Sequence, residues 1–543
     1  MLAEKRSAPV GPRRPRADDE TTVFPTTLSG TVVFPRVSTE RPPAEEPALV
    51  DERLPGRVPV WRHLLLFVVP ASLTFLLGRQ GIGARQMWND EHATWHAATM
   101  SWADLFRLLD HIDRVLTLYY VTMHGWVSLV GDSPTMLRLP SLVAMACAAG
   151  FTALVGQRLL DTYAGLIAGL IFAILPTTSR YAQEARPYAF AVAAAVLATL
   201  LLLVALNRPR WKYWLWYAMT VAATAFLHLV AILVLAAHAL LVWFRYQRSE
   251  RDVRLWKSLG ALALILAVVM PLGYAGSDQS DAIEWIKADK VAVLELPVKL
   301  LGSYAVAAAI IALGVLGALL LSLARRRRVA FALLAWTLVP PLFTYATFPL
   351  LHLFLYRYLL FTLPAWALLA AGCCYGAARL VFRRSWPQLL IAAAALPALV
   401  LLVLPPQHAA RERIVPDEPD YRAAAEMIMS GMRPDDGMVF AGTARPPRMG
   451  MAYEMRHTTA PADVLLAASS AELGTYGVAE CRVTVTCLGQ RQRIWLVSTS
   501  FGDGPWSEMP REKASALSRT FRVAQDARFQ RIHVYLLVRR PAS

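Results

Sequence analysis

The stretch "QMWNDEHATW", Gln86–Trp95, closely follows a hydrophobic segment and sets two adjacent acids, Asp90 and Glu91, between tryptophans. Whether those carboxylates sit at a membrane face or in a soluble loop decides the fold. The rest of the chain answers this. Of 543 residues, 56% are hydrophobic and 17% charged. Several runs approach the roughly 20 apolar residues that cross a bilayer. The composition predicts a polytopic α-helical membrane protein with soluble ends. The net charge of +16 does not imply a nucleic-acid partner, because the basic residues stand in short clusters between hydrophobic runs, where membrane orientation explains them.

Candidate spans fall at about 61–78, 138–156, 163–179, 188–206, 212–227, 229–245, 256–274, 302–323, 329–347, 355–373 and 387–404, which makes about eleven. Basic clusters recur after every second span: Arg158; Arg208, Arg210 and Lys212; Arg245, Arg248, Arg251, Arg254 and Lys257; Arg325–Arg328; and Arg379, Arg383 and Arg384. The positive-inside rule puts these on the cytoplasmic side. Residues 1–58 carry nine Lys/Arg against nine Asp/Glu with many prolines, which predicts a disordered cytoplasmic tail. No apolar signal-peptide core lies near Met1.

The apolar stretch 115–130 either spans or lies along the membrane surface. At 16 residues it reaches roughly 24 Å as a helix, short for a span. The surface reading keeps the tail inside and puts Asp90 outside. It makes 92–110 and 115–130 two interfacial helices anchored by Trp95, Trp102 and Trp126. The odd span count then sends the C-terminal region outside. Domain boundaries follow: a tail at 1–58, a membrane catalytic domain at 59–405, and an extracytoplasmic α/β domain at 406–543. In the last, "DYRAAAEMIMSGMRPDDGMVFAG" (420–442) reads as a helix, a Pro-Asp-Asp-Gly turn and a strand, "RIWLVST" (493–499) and "RIHVYLLVR" (531–539) as strands, and 508–524 as a helix. Cys481 and Cys487 in this region suit a disulfide in an oxidising compartment. Cys147, Cys373 and Cys374 fall in apolar runs as packing residues.

With this topology, polar groups from four regions meet on the outer face: Asp90 and Glu91; Glu184, Arg186 and Tyr188 in "SRYAQEARPYAF" (179–190); His228; and His352, Arg357 and Tyr358 in "HLFLYRYLLF" (352–361). Each also has an ordinary reading. The acids suit an interface, the arginines snorkel or pair with acids, and Glu184 pairs with Arg180 or Arg186. His228 packs, and the tyrosines belong to an aromatic belt. Convergence on one face favours function. Arginine forks suit phosphate, and a neighbouring carboxylate can take a proton from a hydroxyl. Together with an external domain, this describes sugar transfer from a lipid-phosphate carrier. A lipid-linked-sugar flippase or a non-catalytic envelope scaffold are the alternatives. A transporter usually carries polar groups near the bilayer midplane, whereas here ionisable groups gather at one rim.

"WNDEHATW" (88–95), "LYYVTMHGWVSLVGDSPTMLRLPSLVA" (118–144), "SRYAQEARPYAF", "FLHLVAIL" (226–233) and "YRYLLFTLPA" (356–365) together resemble the GT-C superfamily of integral-membrane glycosyltransferases. The likeness is to its bacterial protein O-mannosyltransferase and aminoarabinose transferase branch. "DYRAAAEMIMSGMRPDDGMVF" (420–440) resembles the tail domain of actinobacterial members. The resemblance implies an inverting transferase in a bacterial plasma membrane. It would use a polyprenyl-phosphate sugar and act on an envelope glycan, glycolipid or protein. It implies Asp90 as general base, with Glu91 beside it in acceptor binding, or in metal binding if a divalent metal takes part. It implies Arg186 and Arg357 at the donor phosphate, and Tyr188, Tyr358, His228 and Glu184 around the substrate. One departure stands out: "RVLTLYY" (114–120) replaces the Pro-Pro pair that many relatives carry.

Overall fold

The computed structural model describes residues 59–247, 253–279, 283–412, 418–499, 504–507 and 509–541. The expected tail at 1–58 lies outside these. The chain enters with α1 (Val60–Arg79), whose apolar residues face outward along most of its length. Three short helices follow: α2 (Asn89–Thr99), α3 (Trp102–His111) and α4 (Thr117–Val130). The stretch 92–110 was expected as one helix and is two. Ser101 ends the first and caps the second by accepting the Asp104 backbone N–H at 3.2 Å, the bond that a serine N-cap supplies.

The bundle continues with α5 (Pro134–Leu159), α6 (Thr162–Ile174), α7 (Pro176–Ala182), α8 (Tyr188–Asn207), α9 (Trp211–Leu227), α10 (Leu235–Tyr246), α11 (Val253–Ser277), α12 (Lys290–Leu301), α13 (Tyr304–Leu323), α14 (Arg327–Ala346), α15 (Phe348–Leu351), α16 (Leu363–Val381) and α17 (Pro387–Ala409). Among the described residues, nine helical segments are long and apolar enough to cross a membrane. A tenth arises if α6 and α7, bent by 64° at Leu175, count as one. The remaining expected segment is α9, a helix of 17 residues. Small residues let the helices close up. A Cβ on Gly165 would stand 2.4 Å from the Ala153 carbonyl oxygen, so only glycine admits this approach of α6 to α5.

The C-terminal region holds α18 (Tyr421–Gly431), β1 (Gly437–Phe440), α19 (Arg445–Glu454), β2 (Ala462–Asp463), β3 (Leu466–Ala468), α20 (Ser470–Leu473), β4 (Ala479–Glu480), α21 (Thr484–Leu488), β5 (Arg493–Ser498), α22 (Arg511–Thr520), β6 (Phe521–Phe529) and β7 (Ile532–Arg539). The main sheet runs β2-β1-β5-β7-β6. Its β2, β1 and β5 are parallel, and β7 is antiparallel to both neighbours. The expected strands form, and the helix expected over 508–524 forms as α22 but stops at Thr520, its last four positions opening strand β6 instead, while α19 had no expectation. β5 is buried along nearly its whole length, as a central strand covered on both faces should be. Cys481 and Cys487 have Cα atoms 6.5 Å apart, within disulfide reach.

This α/β region is seated on the first-loop helices. His92 lies between the rings of Tyr421 (5.4 Å) and Tyr453 (5.5 Å). Asp132 joins Trp95 Nε1 (2.9 Å) to Arg456 Nε (3.2 Å). The Tyr476 hydroxyl donates to Asp113 and meets the Tyr120 hydroxyl at 2.9 Å.

Candidate active site

Asp90 and Glu91 stand in the first turn of α2, where the helix dipole favours negative charge. Successive helix positions point about 100° apart, so the two carboxylates part company. Glu91 goes inward and is 1% exposed. Arg138 of α5 grips it with Nε to Oε1 and Nη2 to Oε2, both at 2.7 Å. The Ala185 backbone N–H adds a bond to Oε1 at 2.8 Å. Burial alone would raise the Glu91 pKa. The Arg138 charge and hydrogen bonds, with the Ala185 amide, instead hold it below the usual carboxylate range. Sequence reasoning set Glu91 beside Asp90 in acceptor or metal binding. The structure corrects this, because both of its oxygens are spent on Arg138.

Arg138 was not singled out from the sequence. Besides Glu91 it donates to the carbonyls of Ile82 (2.8 Å), Arg85 (2.9 Å) and Gln86 (3.3 Å). One guanidinium therefore folds the loop before α2 around itself. Its signal was its place within an apolar run, where an ionisable group is costly unless employed.

Asp90 points the other way and is partly open, its side chain 17% exposed. Two arginines reach its Oδ2: Arg357 Nη2 at 3.5 Å and Arg186 Nη2 at 3.9 Å. Arg186 comes from the turn between α7 and α8. Its Nη1 also donates to the Asp90 carbonyl (3.3 Å) and to the Tyr120 hydroxyl (3.5 Å). Tyr120 belongs to "RVLTLYY", so the departure from the Pro-Pro pattern supplies a contact to this arginine. Burial opposes the Arg186 charge, and Asp90 with the surrounding phenols more than offsets it, raising its pKa. Arg357 lies in a 3₁₀ turn, Tyr356–Thr362. Its guanidinium stands 5.4 Å from both the Trp88 and Trp285 rings, a cation–π arrangement.

Tyr188, His228 and Tyr358 form an aromatic wall. His228 is 5.6 Å from Tyr188 and 4.7 Å from Tyr358 between ring centroids. Arg186 stacks over Tyr188 at 5.8 Å. Glu184 pairs with Arg180 at 3.5 Å, the ordinary reading of that residue. Burial raises its pKa and Arg180 opposes the shift. His352 packs on Phe348 at 5.0 Å rather than bonding to Asp90, Arg186 or Arg357. Arg186 Nε, Arg357 Nε and His228 Nδ1 are buried without a hydrogen-bond partner. Two arginine forks with spare donors face a single carboxylate, and that surplus of positive charge suits an anion. No three His, Cys, Asp or Glu side chains among the described residues converge to hold a metal. With arginines facing Asp90 and Glu91 spent, the donor set does not fit a divalent cation.

Residues 118–274 match the family described as dolichyl-phosphate-mannose-protein mannosyltransferase. Among solved structures, ArnT from Cupriavidus metallidurans in the apo state matches with a TM-score of 0.55 and 14% identity, over 87% of this chain and 97% of that one. The same protein bound to undecaprenyl phosphate matches with a TM-score of 0.54, at equal identity and coverage. The chain carries the fold of that protein. Within it, Asp90 follows the first long helix, and its two arginines come from turns that precede later ones. No curated protein sequence matches the chain.

Proposed function

We propose that this protein is an inverting glycosyltransferase. It moves a sugar from a polyprenyl-phosphate carrier to an acceptor hydroxyl at the outer face of a bacterial plasma membrane. The observation that carries this reading is Asp90, a partly open carboxylate that shares one oxygen with two arginines. Asp90 takes the acceptor proton while the acceptor oxygen bonds to the anomeric carbon from the face opposite the leaving group. The bond from that carbon to the phosphate oxygen breaks, and the lipid phosphate leaves with the electron pair. Arg186 and Arg357 hold the phosphate through the transition state, where its charge grows. Tyr188, Tyr358 and His228 enclose the sugar-phosphate junction, and Glu91 holds the loop rather than the substrate. A relative of this fold, ArnT from Cupriavidus metallidurans, was solved with undecaprenyl phosphate, which supports a lipid-phosphate donor. The family matched by residues 118–274 supports a mannose-like sugar.

In this reading, residues 59–405 are the catalytic membrane domain, and 406–543 an extracytoplasmic domain closed by a Cys481–Cys487 disulfide. The amino terminus is cytoplasmic, and α4 lies along the outer membrane surface. Asp90→Asn keeps the size and loses the base, so sugar transfer in membranes should fall by about 10²–10⁴ with expression unchanged. Transfer at the wild-type rate would sink the assignment.

A further inference from the structure

With Glu91 tied to Arg138 and Glu184 to Arg180, the Asp90 pocket lacks the acceptor-side group that the sequence promised. A carboxylate from the far end of the chain stands there. Glu418 precedes α18, three residues before the tyrosine that bonds Asn89, the residue next to Asp90, and its carboxyl feels both the Asn89 amide and the Asp90 charge. Its Oε2 is buried with no hydrogen-bond partner. The segment holding it is fixed from several sides. Gln86 Nε2 donates to the Pro419 carbonyl at 2.7 Å, and Gln86 Oε1 accepts the Arg422 N–H at 3.1 Å. Gln530 Nε2 donates to the Glu418 carbonyl at 2.9 Å. The Tyr421 hydroxyl donates to Asn89 Oδ1 at 3.1 Å.

We propose that Glu418 is the acceptor-binding carboxylate of the site, holding a hydroxyl of a polyol acceptor beside Asp90 through its unpartnered oxygen. The inference rests on the transferase reading and adds the acceptor side to it. A buried carboxyl oxygen without a partner is costly, and a sugar-like hydroxyl satisfies it. A second phosphate would not, because the Asp90 charge already faces that point. Burial, with the Asp90 charge adding to it and the Asn89 amide, Arg531 and Arg85 opposing, pushes Glu418 up to about 7. Near neutral pH the group can therefore both donate to and accept from a hydroxyl.

The test uses the full-length protein in lipid nanodiscs with radiolabelled lipid-linked sugar extracted from the same organism's membranes. Two rates are read. One is hydrolysis of the donor by water; the other is transfer to a delipidated envelope fraction from a strain lacking the protein. Glu418→Gln should raise the apparent KM for the envelope fraction at least tenfold and leave hydrolysis within twofold. Undecaprenyl phosphate binding, followed by tryptophan fluorescence, should stay unchanged and so report an intact fold. Equal loss of both rates, or an unchanged KM, overturns the role of Glu418. If the wild type performs neither reaction, or Asp90→Asn leaves both intact, the transferase reading fails and this inference with it.

Discussion

Replacing Arg138 with methionine would leave Glu91 buried without its ion-pair partner. Breaking such a pair costs about 3–5 kcal/mol, and here it also frees the carbonyls of Ile82, Arg85 and Gln86. The expected outcome is a markedly lower melting temperature of the purified protein, with little transfer activity. Arg138→Lys should rescue little, since an ammonium is a compact charge that cannot copy the planar fork. A different change separates charge from shape at the donor side. Arg357→Lys keeps the cation and loses the flat face between Trp88 and Trp285. It should weaken undecaprenyl phosphate binding about tenfold, or about 1.4 kcal/mol, in a tryptophan fluorescence titration. Unchanged affinity would mean that the site reads only charge. The sequence made Asp90, Arg186 and Arg357 visible because each is a charged residue at the rim of an apolar run. It misled on Glu91 because adjacency in sequence says nothing about which face of a helix turn a side chain takes.

At the scale of an element, α2 is both the base of the site and the seat of the α/β region. His92 is wholly buried between Tyr421 and Tyr453, and neither ring nitrogen has a hydrogen-bond partner. Burial, aided by the charges of Arg138 and Arg456 and opposed by Glu91, pushes it down to about 3 from 6.5. The unfolded histidine takes up a proton as pH falls through 6.5, and the folded one does so only near 3. The stability it contributes is therefore present above 6.5 and is lost between 6.5 and 3. The His92→Phe variant should lose less melting temperature than the wild type across this interval, measured by thermal unfolding at pH 7, 6 and 5. Identical slopes would place the pH sensitivity elsewhere. Most helices were legible, because an apolar run of span length has few other folds. The split of 92–110 into α2 and α3 was harder to see, since it turns on one serine cap. The strand β6 was missed because most of its residues are exposed and polar, which leaves little alternation to read.

At the scale of the molecule, orientation is the testable quantity. Gln490 is exposed on the α/β region. A Gln490→Cys variant should react with a membrane-impermeant maleimide in intact cells whose outer layers admit the reagent. Labelling only after lysis would reverse the topology and put Asp90 on the cytoplasmic side. Charge clusters suggested this orientation because they repeat with the spans. The seam between the two regions left no such trace. Gln86 with Pro419, Arg85 with Ala410, and Tyr120 with Tyr476 are single polar contacts across 333, 325 and 356 residues, and one sequence carries no sign of such partners.

Those separations have a consequence in time. Synthesis runs from the amino terminus, so the loop bearing Asp90 leaves the ribosome well before Pro419, its clamp through Gln86. At about 5–20 residues per second the interval is roughly 20–70 s. Throughout it, a growing chain holds the carboxylate without the far wall that Glu418 and Tyr421 supply. The geometry therefore doubles as a maturation clock: under the proposed reaction, a half-made chain is expected to be inert toward lipid-linked sugar until its last segment has docked.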